Sequence, residues 1–284
     1  MISGATRLAG VIGDPVRHSL SPAIHNAAYA ATGLDWVYLA LPVGEERLGE
    51  ALSGMVALGI DGLSVTMPHK ARAAEYCDEL TPAAEALGVV NSLRRQGARL
   101  VGHNTDGSGF VTALANNGWS SSIRSAVVVG AGGTARAITH ALGAAGAHRV
   151  TVAARRARAG DSVAALAGPA GEARPLGEMG AHQWREADLV VNTTPVGMAG
   201  SALPNGSLVP VELLRSDAVV ADVVYHPRVT PMLSAAAAAG HRCLGGVDLL
   251  LGLSAEVFTW WTGQAAPLEA MRGAVLAQLD GSGG

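Results

Sequence analysis

The run from Ser125 to Gly146, SAVVVGAGGTARAITHALGAAG, constrains this chain more than any other stretch. Ala126 to Val129 is a continuous apolar, β-branched run, as expected of a strand buried on both faces of a parallel sheet. It breaks at Gly130-Ala131-Gly132-Gly133, and an Ala-rich helix comes next and stops at Gly146. Gly130 suits the tight turn, and Gly132 and Gly133 have no Cβ to hold a pyrophosphate off the backbone. The free N–H groups and dipole of the helix start favour such an anion. Ala135 stands where a third glycine would complete the fingerprint, and a residue that small still permits close helix–strand packing. The competing reading is a glycine-rich turn of the kind any parallel sheet contains.

The residues beyond Gly146 weaken that alternative. His148 to Ala153 reads as the next strand, and it runs into Ala154-Arg155-Arg156-Ala157-Arg158. An NAD site places an acidic residue near this strand end, for the ribose 2′-hydroxyl, whereas arginine accommodates the 2′-phosphate of NADP. Here Arg155, Arg156 and Arg158 replace the acid. Positive charge at a helix start opposes the dipole and is better explained by an anion than by a solvated surface, so the expected cofactor is NADP. Further strands are expected at Ala187–Val191 and Asp217–Val224, and a helix at Thr230–Ala239. Two closing helices are expected at Val247–Thr262 and Pro267–Leu279.

The amino-terminal part repeats the βα alternation. Strands are expected at Arg7–Ile12, Trp36–Leu41 and Asp61–Met67, helices at Pro22–Thr32 and Glu45–Leu58, and a hairpin over Asn91–Val101. Ser21 before Pro22 is placed to cap a helix. Ser19 is not explained by capping, and two hydroxyls ahead of a helix start also suit a carboxylate; both readings stay open. Thr66 and Lys70 flank the carboxyl end of the third strand, where open α/β sheets bind ligands. Asp106 either caps the helix it begins or serves chemistry; His18 and His25 read as structural.

Length and composition set the outer limits. The 284 residues suffice for two domains with real cores, built from Ala, Val and Leu because aromatics are only 4%. A net charge of −3 gives no electrostatic case for nucleic acid or anionic membrane. Cys77 and Cys243 lack metal-ligand or disulfide spacing, so no metal is expected. No apolar run suits a signal peptide or a membrane span, and the expectation is a soluble, cytoplasmic protein, monomer or homodimer. The fold expected is α/β, with two α/β domains around a cleft, the second a doubly wound Rossmann-type dinucleotide-binding domain. Residues 1–107 with 246–284 form a discontinuous substrate domain, and 108–245 the NADP domain.

Several segments, in order, carry a resemblance: HSLSPAIHN at 18–26, SVTMPHK at 64–70, VVNSL at 89–93, GHNTDG at 102–107, GAGGTARA at 130–137, NTTPVGM at 192–198 and DVVYHP at 222–227. Over nearly its whole length the chain resembles the shikimate dehydrogenase family. The resemblance implies reversible NADP-dependent reduction of 3-dehydroshikimate to shikimate, in the route to aromatic amino acids. It assigns the substrate carboxylate to Ser19 and Ser21. Thr66, Asn91, Asp106, Tyr225 and the position of Leu253 fall to the substrate's hydroxyls and ring, and Lys70 with Asp106 to proton transfer. It assigns Gly130, Ala131, Gly132, Gly133 and Thr134 to the pyrophosphate, Arg155 and its neighbours to the 2′-phosphate, and Thr193, Val223 and Gly246 to the rest of the cofactor.

The chain departs from the family's pattern at Leu253, where the family usually has a glutamine that hydrogen-bonds the substrate. It departs also at Ala154 and Ser64, each in place of asparagine, and at Ser92, in place of threonine. Losing a hydrogen-bonding group can change which substrate is preferred. Three alternatives stay open: a paralogue acting on quinate, an aminoshikimate or a related cyclic acid; a nucleotide-binding regulator without turnover; and a folate-linked dehydrogenase, which the Ser19/Ser21 pair disfavours.

Overall fold

The computed structural model describes residues 2–119 and 123–281. Ser120 to Ser122 of the expected linker Ser120–Arg124, and Ser282 to Gly284 of the expected frayed tail, lie outside the described residues. The chain divides into two compact units, Met1–Thr105 with Leu253–Gly284, and Asp106–Gly252. The return to the first unit falls inside a helix, between Gly252 and Leu253, rather than at that helix's start at Gly246.

In the first unit, β1 (Arg7–Gly13) lies between β2 (Trp36–Pro42) and β3 (Gly62–Val65), and the three are parallel. Two helices provide the crossovers, α1 (Ser21–Thr32), which stops at the left-handed Gly33, and α2 (Leu48–Ala57). The short α3 (Lys70–Ala74), the edge strand β4 (Glu79–Leu80) and α4 (Pro82–Leu87) come next. A hairpin of β5 (Ser92–Gln96) and β6 (Arg99–His103) then pairs antiparallel with β3. The order β2-β1-β3-β5-β6-β4 is therefore a mixed sheet. One of its cores gathers Ile12, Leu52, Met55, Leu63, Val65 and Leu93.

Several boundaries differ from the sequence expectation. The segment 45–58 is not one helix: a 3-10 turn, Glu45–Arg47, precedes α2, and Arg47 offers no side-chain cap. The third strand ends at Val65: the Thr66 N–H still donates to the Ile12 carbonyl, but the Thr66 carbonyl accepts from the His69 N–H and closes a turn. The next helix begins at Lys70, two residues after Pro68, where a proline at the first helical position would start it. Strand β4 has only two residues and no apolar pattern, so nothing in the sequence marks it.

His25 is a core residue of this unit. Its ring stacks on Tyr38 with centroids 4.5 Å apart and leans on Trp261 at 5.5 Å. Burial pulls its pKa down to about 3 from the ordinary 6.5. The folded state thus refuses a proton that the unfolded chain accepts below pH 6.5, and stability is lost as pH falls from 6.5 toward 3. By pH 4.5 this one group costs about 2–3 kcal/mol. Urea denaturation of the parent and of His25→Phe, which keeps a ring in the stack, checks this at pH 7 and 4.5. The variant loses about 2 kcal/mol less on acidification; equal losses would contradict the assignment.

The second unit is all parallel: β7 (Ser125–Val129), β8 (Arg149–Ala154), β9 (Gly171–Pro175), β10 (Leu189–Asn192), β11 (Val219–Asp222) and β12 (Arg242–Leu244). Their order is β12-β11-β10-β7-β8-β9, the doubly wound arrangement, with its reversal between β7 and β10. Helices α5 (Asp106–Asn116), α6 (Gly133–Ala144), α7 (Ala157–Ala164), α8 (Ala181–Arg185) and α9 (Pro231–Ala238) accompany the strands. Gly107 explains how α5 approaches α6 so closely, since a Cβ there would meet the Ala141 methyl at 2.9 Å and the Ala137 backbone. Strand β9, GEARP, was not expected from sequence, because it is a half-exposed edge without an apolar run.

Two closing helices, α10 (Gly246–Thr262) and α11 (Leu268–Gly281), end the chain. Among the described residues, no helix is long and apolar enough to cross a membrane.

Candidate active site

In the first unit, strand pairing collects the named residues at one end of the sheet. Because β5 runs antiparallel to β3 with Ser64 opposite Ser92, Asn91 comes beside Val65, whose N–H donates to the Asn91 carbonyl at 2.8 Å. Thr66 sits just beyond β3, in space that Gly13 leaves open: a Cβ on Gly13 would collide with the Thr66 methyl. Asn91 is buried, and its side-chain oxygen accepts from the Thr105 N–H at 3.0 Å while its amide donates to the Thr105 hydroxyl at 3.0 Å. That clamp fixes the residue immediately before Asp106.

Lys70 is half-buried at the first position of α3, and its carbonyl accepts from the Val90 N–H. The preceding His69 is fully buried, with Nε2 2.7 Å from the Val43 carbonyl, which anchors the turn that carries Lys70. Ser19 and Ser21 are both half-buried. The capping expectation for Ser21 is overturned. The helix already includes Ser21, its N-cap is Leu20 with no side-chain bond, and it is the Ser19 oxygen that accepts from the Ser21 N–H at 3.2 Å. No side-chain hydrogen bond caps this helix start, so the Ser21 hydroxyl is not committed to it. Leu253 is half-buried on α10.

In the second unit, the loops after β7 and β10 meet at the reversal of strand order. Gly130 has φ 120°, and a Cβ there would collide with the Thr193 hydroxyl, which donates to the Val129 carbonyl at 2.7 Å. Only glycine satisfies both conditions. Gly132 and Gly133 differ: apart from their own chain neighbours, no atom lies within 4 Å of the position a Cβ would take, so both face open space. Gly132 caps α6 without any side-chain bond, and Ala131 and Thr134 are half-buried beside it. At the end of β8, Arg155, Arg156 and Arg158 are exposed. None has an ion pair or side-chain hydrogen bond among the described residues, whereas nearby Arg136 donates to Ser162. An open glycine cradle, an uncapped helix start and three uncommitted guanidiniums fit a phosphorylated dinucleotide.

Asp106 begins α5 and is buried. Val223 donates its N–H to the Asn192 carbonyl at 3.1 Å, and Gly246 packs so tightly that a Cβ would meet the Val223 carbonyl at 2.6 Å. Tyr225 is half-buried, and burial raises its phenol above the ordinary range.

A buried network here escaped sequence reasoning. Asp222 accepts from Asn192 at 3.0 Å, from the Val224 N–H at 3.1 Å and from Thr230 at 2.7 Å. Burial outweighs these bonds and pushes its carboxyl up to about 6. The network fixes the segment that bears Val223 and Tyr225. Its only sequence signal is a polar residue, Asn192 and Asp222, closing each of two buried strands.

Comparison with known proteins gives a consistent neighbourhood. Residues 11–93 match the family model described as shikimate dehydrogenase substrate binding domain. Shikimate dehydrogenase (NADP(+)) of Citrifermentans bemidjiense is 44% identical over 99% of both chains. A crystal structure of a shikimate dehydrogenase in complex with NADP+ superposes with a TM-score of 0.91 at 32% identity, covering 98% of each chain. Quinate dehydrogenase from Corynebacterium glutamicum in complex with NAD superposes with a TM-score of 0.88 at 30% identity, covering 96% of this chain and 99% of that one.

Proposed function

Because the chain belongs to the shikimate dehydrogenase family, we propose that it interconverts 3-dehydroshikimate and shikimate with NADP. The unit Met1–Thr105 with Leu253–Gly284 would serve the substrate and Asp106–Gly252 the cofactor. The observation that carries the reading is the pairing of an open glycine cradle at 132–133 with uncommitted arginines at 155, 156 and 158. Gly130 to Thr134 would hold the pyrophosphate, the arginines the 2′-phosphate, and Thr193, Val223 and Gly246 would border the rest of the dinucleotide. When bound, NADPH supplies the hydride for the ketone.

The remaining steps belong to the chain's own side chains. Ser19 and Ser21 donate hydroxyl hydrogens to the substrate carboxylate, while Thr66, Asn91 and Tyr225 orient the ring through its hydroxyls. As the ketone is reduced its oxygen gains negative charge, and the Lys70 ammonium stabilises that charge and delivers the proton. Asp106 would serve as the carboxylate partner that holds the ammonium in place for transfer. In the oxidative direction, neutral Lys70 takes the hydroxyl proton. A cytoplasmic location and a monomeric or dimeric state complete the reading.

The carboxylate assignment has its own test. Alanine at Ser19 or Ser21 raises KM for shikimate about 10-fold or more with little change in kcat, because the contact is made equally in ground and transition states. Shikimate amide is a poor substrate of the parent. An amide used as well as the acid would move the carboxylate site elsewhere.

A second reading, a paralogue for quinate or a related cyclic acid, is favoured by Leu253 alone. It offers no hydrogen bond from α10, where the resemblance places a glutamine.

A further inference from the structure

Tyr38 looks like an ordinary core aromatic in the strand WVYLALP, but its surroundings in the first unit are not ordinary. Its backbone is latched at both polar groups by one side chain: the Asn26 amide donates to the Tyr38 carbonyl at 2.9 Å, and the Tyr38 N–H donates to the Asn26 side-chain oxygen at 2.8 Å. Its ring stacks on His25 with the planes 3° from parallel, and it leans on Trp261 at 6.1 Å. The phenol oxygen is therefore held in one place. It is also fully buried and makes no hydrogen bond among the described residues. Beside it lie the hydroxyls of Ser21 and Ser64, neither in bonding geometry. Both serines are half-buried, so the phenol sits one layer below the surface they reach.

A buried hydroxyl without a partner is a standing cost to the fold, and removing it while keeping the ring would be neutral or stabilising. Its retention in a rigid setting calls for a partner that forms under some condition. Ser21 supplies one. A serine hydroxyl has a single hydrogen to give, and once that hydrogen goes to a carboxylate the oxygen is left to accept. A donor behind it polarises the hydroxyl and fixes its rotamer, which strengthens the bond it makes in front.

We propose that Tyr38 is a positioning residue for substrate binding: its phenol donates to the Ser21 oxygen when Ser21 donates to a bound carboxylate. The proposal rests on the reading of Ser21 as a carboxylate ligand. Burial also raises the phenol above its ordinary range, so the donor hydrogen is present at every working pH.

The test compares Tyr38→Phe, Ser21→Ala and the double variant in the full-length enzyme. Each is assayed for kcat and KM with shikimate and NADP+, and for thermal midpoint with and without saturating shikimate. Tyr38→Phe keeps the apo midpoint or raises it, keeps kcat within about twofold, and raises KM about 5–20-fold with a smaller shikimate-induced shift. The double variant is no worse than Ser21→Ala, since the phenol acts through that hydroxyl. A raised KM for Ser21→Ala with an unchanged KM for Tyr38→Phe overturns the role of Tyr38 alone. Unchanged KM in both overturns the carboxylate reading, and this proposal with it. A Tyr38→Phe enzyme with a markedly lowered apo midpoint makes the phenol structural and overturns the proposal too.

Discussion

Lys70→Ala lowers kcat by roughly 10²–10⁴-fold while KM for shikimate changes by only about a few-fold. The charge it supplies counts mainly as negative charge develops on the substrate oxygen. Lys70→Arg does not restore activity, because a guanidinium stays protonated near neutral pH and cannot cycle a proton. The buried hold of His69 on the Val43 carbonyl keeps the turn in place, so neither substitution disturbs the fold. Asp106→Asn resembles the Lys70 loss, and the double variant is better than the product of the two single losses, as for groups that act as a unit. Steady-state kinetics of the parent and these variants check this. A Lys70→Ala enzyme that keeps its kcat and loses only KM would make Lys70 a binding residue.

Arg155→Ala weakens NADP+ binding by about 1.5–3 kcal/mol, or roughly 10–150-fold, with NAD+ binding little changed. The reason is the exposed cluster at the end of β8, where no carboxylate competes for Arg155, Arg156 or Arg158 among the described residues. Such exposed contacts are screened by salt, so the difference shrinks as ionic strength rises. Calorimetric titration of both cofactors into parent and variant measures it. Equal losses for NADP+ and NAD+ would assign the arginine to the shared part of the dinucleotide.

The Rossmann-type unit was legible because each of its central cues is local. Continuous apolar runs at 126–129 and 189–191 mark strands buried on both faces, and Gly130 marks the turn between strand and helix. Edge strands β4 and β9 were not legible, since a strand half in water needs no apolar pattern and its pairing partner is remote in sequence. At the site, residue identities were readable but their local bonding was not. Ser21 has the composition of a cap, yet Ser19 takes the N–H, because the helix begins one residue earlier than Pro22 implies. Asp222 and Tyr38 share a different obscurity. A buried strand end and a core aromatic carry no sign in sequence of what their polar atoms face, and only the packing shows Asp222 saturated with donors and Tyr38 with none.

The most direct test of the central claim is the initial rate of nicotinamide reduction, measured by near-ultraviolet absorbance, with shikimate and quinate each supplied with NADP+ and with NAD+. The account predicts that shikimate with NADP+ gives the highest kcat/KM, about 10-fold or more above each of the other three pairings. A higher kcat/KM for quinate would instead make Leu253 the mark of a different substrate. Tight NADP+ binding without turnover of either acid would contradict the account outright.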